Sequence, residues 1–503
     1  MARINTNVQS LVAQRVMGTN NTGLGQALER LSTGLRINRG ADDPAGLIAS
    51  ENLRSEQKAL SQAVSNADRA DQVLNIAEGG LQEVSSLLLE LQGLLTASAS
   101  EAGLSKEEKD ANQLQIDSIL QSIDRIAGAT NFQGIKLLNG NFDFTTSGVN
   151  TTAVSDIRVN GAKFSGASQA VNVTVTQSAR TAAVMLSLGS ANLDLSSATA
   201  QFTIEVGGGQ GAREFTFSSG TSLASIAAAI NQFSDVTGVK ATYAGGAATN
   251  IVLESKDYGA SEFISVKTTN TGGLVSSGSG ICTRAPGSAT FNIEVAEFAA
   301  TQNPVRVPGQ DLQGTINGVQ ASGNGKNLRL ATDFLDVEVE LSATAAAALG
   351  TANTFYITGG GANFQLASRV DIAGQVSIGI QDVAARKLGT STMGYLSSLA
   401  NGKANNVVDG NVTDAQRVVS EAIKQVSSMR GRMGAFQKNV VGATIRSLGV
   451  NIENTAAAQS VIRDADFAAE TASLTRWQTL VSSATNVLGL ANQQPQSALQ
   501  LLG

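Results

Sequence analysis

The sequence predicts an α+β fold in which a long antiparallel helical stalk is built from both chain ends and β-rich domains are inserted in the middle. Near both ends, apolar side chains recur at alternating spacings of four and three, the seam spacing of helices that pack along helices. Between about 145 and 370 the period switches to strict alternation, which belongs to half-buried strands. The longest helical stripe lies at 413–448, with Ala415, Val419, Ala422, Val426, Met429, Met433, Phe436, Val440 and Ala443 in register. Thr413 with Gln416 reads as a capping box that opens it, and Gly449 as its stop. Some 36 residues at 1.5 Å each make a rod of roughly 54 Å, which needs equally long partners.

Those partners lie at the other end of the chain. From Ile4 the pattern is helical, through Val8 and Leu11, and a glycine-containing patch at 18–25 predicts a break because glycine is a poor helix former. Leu24, Leu28, Leu31 and Leu35 follow at heptad spacing. Asp43 is a good N-cap with Pro44 at the first helical position, so a second helix begins there. Its strongest stripe is Ala77, Leu81, Val84, Leu88, Leu91 and Leu95. Ser105 with Glu108 caps a third helix carrying Ile116, Ile119, Leu120, Ile123 and Ala127 before Gly128. With the rod at 413–448, three long helices can share one seam. Its predicted core is Leu81, Val84, Leu88, Leu91, Leu95, Ile116, Ile123, Val426, Met429, Met433, Phe436 and Val440. A last stripe, Phe467, Leu474, Trp477, Val481, Ala484, Leu488 and Ala491, is followed by Pro495 and an apolar tail from Leu499 to Leu502.

In the middle, Phe202, Ile204 and Val206, then Phe215 and Phe217, alternate as strands, and Ser222 to Phe233 reads as a short helix. Strand patterns continue at 239–243, 251–253, 263–266, 291–295, 337–341 and 355–357. The glycine-rich turns at 207–211 and 359–361 lack the Lys-Ser/Thr helix start of a phosphate loop.

Composition narrows the function classes. A chain of 503 residues, 42% hydrophobic, suits three or four packed domains; only 15% charged residues beside 52 glycines suits close-packed backbones and polar surfaces. A net charge of −6 supplies no basic field for nucleic acid. The absence of histidine removes the commonest general base, the usual zinc ligand and every histidine-dependent triad, although a carboxylate-only hydrolase would survive it. No catalytic, cofactor-binding or metal-ligating residue is expected. The single cysteine, Cys282, cannot form an internal disulfide and reads as a buried small hydrophobe. The opening MARINTNVQS lacks the apolar run of a signal peptide, and no 18-residue apolar segment predicts a membrane span, so these signals alone point to the cytoplasm.

Both ends resemble bacterial flagellin. The residues that carry the resemblance are LERLSTGLRIN at 28–38, ADDPAGL at 41–47, IDRIAGATNFQGIKLL at 123–138 and ANQQPQSALQLL at 491–502. The match covers about 1–142 and 370–503, and 200–267 looks like the motif inserted in flagellins and hook-associated proteins. Trp477 stands where a small residue is usual, Leu490 where a polar one is common, and the chain ends on Gly503. The resemblance implies a subunit that polymerises into the flagellar filament for motility. In that reading 1–43 and 455–503 are terminal helices of the filament's inner tubes, 44–144 and 371–454 the helical stalk, and 145–370 the variable domains facing solvent. It also implies export by the flagellar type III apparatus with an export chaperone, an extracellular place in the filament, and contact with flagellar cap and hook-associated proteins. The terminal stripes have no partner elsewhere in the chain, so they are expected to order when neighbouring subunits bury them, through Leu24, Leu28, Leu31, Leu35, Leu474, Trp477, Val481, Ala484, Leu488 and Ala491.

Flagellins sensed by the animal flagellin-specific Toll-like receptor are similar along the second helix but carry arginine where this chain has Glu90 and glutamate where it has Gln115. Leu94, a further contact position, is retained, so weak recognition by the receptor is expected. The nearest rival function is a hook-filament junction protein, which copy number would separate. A zinc protease borne on the insert needs HExxH, which a chain without histidine lacks. An adhesin acting through the insert is a third class, and nothing in 145–370 argues for or against a ligand.

Overall fold

The computed structural model describes residues 6–502 apart from 101–102, 165, 244–249, 275–278, 285–290 and 302. Its helices, among the described residues, are α1 (Val8–Thr33), α2 (Pro44–Ser98), α3 (Lys106–Ala129), α4 (Leu223–Gln232), α5 (Ser234–Thr237), α6 (Ala343–Ala347), α7 (Val412–Phe436), α8 (Gly442–Arg463) and α9 (Phe467–Leu502). The chain divides into two compact units, one of Met1–Gln72, Phe364–Gln375 and Ala435–Gly503, the other of Val73–Asn363 and Val376–Gly434.

In the first unit α1 is continuous through the glycine-containing patch, where a break was expected. Tertiary packing overrides the weak propensity there, because Gly23 lies under the indole of Trp477. Gly34, in the left-handed region with φ of 72°, ends the helix and donates its N–H to the Arg30 carbonyl at 2.9 Å. The chain then pairs with the α8–α9 connection: Arg36 N donates to the Arg463 carbonyl at 2.7 Å and Ala465 N to the Gly34 carbonyl at 2.9 Å. Asp43 caps α2 by accepting from Gly46 N at 2.9 Å, with Pro44 at the first position as predicted. Leu60 and Ala63 of α2 form a small core with Leu448 of α8.

The carboxy-terminal rod differs from its expected form at both ends. Asn411, not Thr413, opens α7, its Oδ1 accepting from Thr413 N at 3.1 Å and Asp414 N at 3.2 Å. Gly449 does not close it: α8 runs on to Arg463 after a π-helical turn at Gln437–Val441. A π turn holds one residue more than an α turn and so rotates the apolar stripe. Phe436 and Val440, predicted in the seam, are half-buried, whereas Val441 and Leu448 are buried.

The second unit begins with the helices. Ser105 and Glu108 form the reciprocal capping box predicted for α3. Leu81, Val84, Leu88, Leu91 and Leu95 of α2, Ile116 and Ile123 of α3, and Val426, Met429 and Met433 of α7 are all buried. Polar cross-links tie these helices together, Arg430 of α7 to Glu78 of α2 at 2.8 Å and Asn112 of α3 to Ser98 of α2 at 3.1 Å.

Beyond Asn141 the chain builds two nested β cores. The first is an eight-stranded antiparallel sheet in the spatial order 144–147, 350–360, 169–177, 313–316, 319–324, 327–331, 335–341 and 154–162. Its buried face carries Val171, Val173, Leu328, Val337, Val339 and Phe355. The second core is inserted within the first, between residues 177 and 313. A five-stranded sheet (291–297, 280–284, 181–187, 250–258, 239–243), a four-stranded sheet (305–308, 263–270, 201–207, 212–218) and α4 close over Phe202, Ile204, Leu223, Ile230 and Ile251. Ser222 caps α4 by accepting from Ser225 N at 3.2 Å. Cys282 is buried in this core's sheet, where burial raises its thiol pKa.

Candidate assembly interface

The first and last described helices lie against each other, so the terminal stripes do have a partner within the chain, contrary to expectation. The pairs run antiparallel, from Asn7 opposite Ala491 through Asn20 opposite Leu480 to Arg30 opposite Glu470. Asn7 caps α1 by accepting from Ser10 N at 3.0 Å, and Asp466 caps α9 by accepting from Ala468 N at 2.9 Å. Polar links cross the seam, among them Asn7 Nδ2 to the Ala491 carbonyl at 2.7 Å, Ser10 Oγ to Asn492 Oδ1 at 2.8 Å, and Asn20 Nδ2 to the Leu480 carbonyl at 3.3 Å. Arg30 and Glu470 stand 3.9 Å apart at the rim, a contact of small energetic weight.

What this seam buries is small: Ser10, Ala13, Asn20 and Ala27 on α1, Ala484 and Ala491 on α9. Large apolar side chains are left outside. Val8 and Leu11 are each 57% exposed and Leu490 is 65% exposed. Val8, Val12, Val16, Leu480 and Val487 line an apolar groove of about 480 Å³ between the two helices. Of the residues predicted for subunit contact, Ala484 and Ala491 lie in the seam; Leu24, Leu31, Leu35, Leu474, Trp477, Val481 and Leu488 are half-buried on its flanks; and Leu28 is exposed. The predicted set leaves out Val12, Val16, Val487 and Leu490. Their spacings of four and three were legible, but they form a second stripe that a search for one seam passes over.

In the second unit Glu90 and Gln115 are exposed and Leu94 is half-buried. Where the inserted sheet begins, burial raises the Asp143 carboxyl from 3.8 to about 6, against a hydrogen bond from Phe144 N and the charges of Arg432 and Lys387. Burial lowers Arg432 in turn. Among the described residues no group of histidine, cysteine, aspartate and glutamate could hold a metal ion, and no helix is long and apolar enough to cross a membrane.

A chain whose two ends close on each other while large apolar side chains stand exposed along them carries the kind of surface that a protein–protein contact covers. Residues 4–143 match the model of the bacterial flagellin N-terminal helical region, 417–502 that of the bacterial flagellin C-terminal helical region, and 201–257 the flagellin hook IN motif. Flagellin of Salmonella typhimurium is 28% identical over 99% of both chains, and flagellin B of Helicobacter pylori and of Vibrio cholerae are each 26% identical over the same share. The chain belongs to the bacterial flagellin family and is a structural subunit of the flagellar filament.

Proposed function

We propose that the α1/α9 pair is the surface through which copies of this chain join, and that neighbouring copies complete its order. The observation that carries this reading is the pattern of the pair, with alanine, serine and asparagine fully buried and Val8, Leu11, Val12, Val16, Val487 and Leu490 exposed. A seam of such small side chains removes little apolar area from water, so two helices held by it alone are marginal. Copies that cover the outer stripe add the missing burial, and contacts that do not close on themselves extend into a helical polymer. In this arrangement residues 1–43 and 455–503 lie innermost, 44–144 and 371–454 form the stalk, and 145–370 face solvent. Limited proteolysis tests the coupling: monomer should be trimmed at both ends to about 45–455 while filament resists. Terminal segments equally resistant in monomer would overturn it.

The same reading makes the chain an extracellular one, exported unfolded through the flagellar type III apparatus with a chaperone and meeting cap and hook-associated proteins in the filament. A sequence with one cysteine and no histidine supports it, since neither disulfide formation nor histidine-dependent metal binding would hinder passage as an open chain. It also assigns the chain structural work, with no catalysis. For the host receptor, exposed Glu90 presents a carboxylate where an arginine's donors would be met, which leaves a receptor acceptor unpaired. Such a loss costs about 2 to 5 kcal/mol, or roughly 30-fold to several-thousand-fold in affinity. Glu90→Arg should therefore raise the response of a receptor reporter assay on purified monomer; an unchanged response would sink the assignment.

A further inference from the structure

We propose that Gly23 is the positioning residue of the terminal helix pair: it seats Trp477, and this seat sets the stagger at which α1 and α9 close. The inference rests on the reading of the pair as the assembly surface and deepens it. Trp477 is the chain's only tryptophan. A methyl group added to Gly23 would lie 2.7 Å from Cε2 of its indole and 2.9 Å from Cδ2 and Cζ2, so the ring rests against the α1 backbone in a space that only glycine leaves open. Gly18 and Gly25, in the same helix, meet nothing within 4 Å. Glycine is among the poorest helix formers, so local propensity argues against it at all three positions; at Gly23 alone the partner helix explains it.

The rest of the seam is poorly suited to hold a stagger. Ala13, Ala27, Ala484 and Ala491 are small, with no branch or ring to interlock when one helix slides a turn along the other. Asn20, one turn from Gly23, adds a hydrogen bond of 3.3 Å to the Leu480 carbonyl. Trp477 is different, because the same slide would drive the indole onto Asn20 or Ala27, which carry the Cβ that Gly23 lacks. The stagger also decides what the pair shows outside. In this register Val8, Val12 and Val16 face Leu480 and Val487 across one apolar groove. Gly23 thereby governs the surface offered to the next copy without being exposed to it.

Growth of purified full-length monomer on sheared wild-type filament seeds tests this. Gly23→Ala should raise the critical concentration about tenfold or more, the effect of losing roughly one register-defining contact, even though alanine is the better helix former. Adding Trp477→Ala in the same chain should bring growth back toward wild type, because the methyl then has room. Gly25→Ala, in open space, should grow as wild type. Gly23→Ala growing like wild type would overturn the proposal, as would a double variant no better than Gly23→Ala or a Gly25→Ala equally impaired. Wild-type monomer failing to grow on its own seeds would instead overturn the assembly reading beneath it.

Discussion

The stalk helices and the terminal helices carry the same apolar spacing and use it in opposite ways. On α2, α3 and α7 the stripe is leucine, isoleucine, valine and methionine, and it is buried within the chain: Leu81, Leu88, Leu91 and Ile123 are 0% exposed. On α1 and α9 the fully buried residues are alanine, serine and asparagine, while Val8, Leu11, Val12, Val16, Val487 and Leu490 are exposed. The stalk therefore closes its apolar stripe within the single chain, whereas the ends leave large apolar side chains uncovered. Periodicity reports that a helix face will be covered; the size of the side chains in the seam reports by whom.

The largest test of that contrast is truncation on either side of it. Leu88→Ala should cost about 2 to 5 kcal/mol of monomer stability, the usual range for a buried leucine, read from urea unfolding of the stalk. Leu28→Ala, at a residue 49% exposed, should leave monomer unfolding unchanged and raise the critical concentration for polymerisation. If Leu28→Ala destabilised the monomer as strongly as Leu88→Ala, the two regions would not differ as described.

Asp143, half-buried where the chain passes from the stalk into the inserted sheet, adds a titratable test on that side of the comparison. Its folded pKa lies above the unfolded value, so the folded state holds the proton more tightly. The contribution to stability is fully favourable below an ordinary 3.8 and is lost as pH rises through about 6. Above that range the ionised carboxylate costs about 2 to 3 kcal/mol, by the usual equivalence of 1.36 kcal/mol per pKa unit. Arg432, Lys387 and Phe144 N–H favour the charged form and Asp382 opposes it. Asp143→Asn should stabilise this region by that amount at pH 8 and by nothing at pH 3.5, read from hydrogen exchange of the sheet at 154–162. A gain that persisted at pH 3.5 would assign the effect to packing.

The smallest expected effect concerns Phe436, which the heptad count places in the seam and the structure places at its edge. Phe436→Ala should cost about 1 kcal/mol, below the 3 to 5 kcal/mol of a fully buried phenylalanine. A loss within the higher range would return it to the core.

Much of this was legible beforehand. The Ser105–Glu108 box, the Asp43–Pro44 start, the Leu81–Leu95 stripe and the short helix after Ser222 are written in residues whose partners lie within a few positions, so local rules find them. The π turn at Gln437–Val441 was not legible, because a single added residue leaves each short stretch of pattern intact while rotating everything after it. Gly18 to Gly25 was misread for a related reason: propensity weighs a glycine by what it does to its own helix, and Gly23 matters for what it admits from another. The terminal surface was half legible. Leu24 to Leu35 stood out as leucines at heptad spacing, but what Ser10 and Gly23 meet, Asn492 and Trp477, lies more than 450 residues away.

The nesting of the two β cores makes the molecule a pair of sockets. The outer insert enters and leaves on neighbouring strands, Phe144 paired with Gly360, and the inner insert does the same at Arg180 and Gln310. Paired antiparallel residues stand only roughly 4.5 to 5.5 Å apart, so whatever is plugged in at either level begins and ends at almost one point. A foreign domain whose own termini lie close together could replace 181–309 with little strain on the sheet beneath it, and each filament copy would then display one cargo at a fixed pitch.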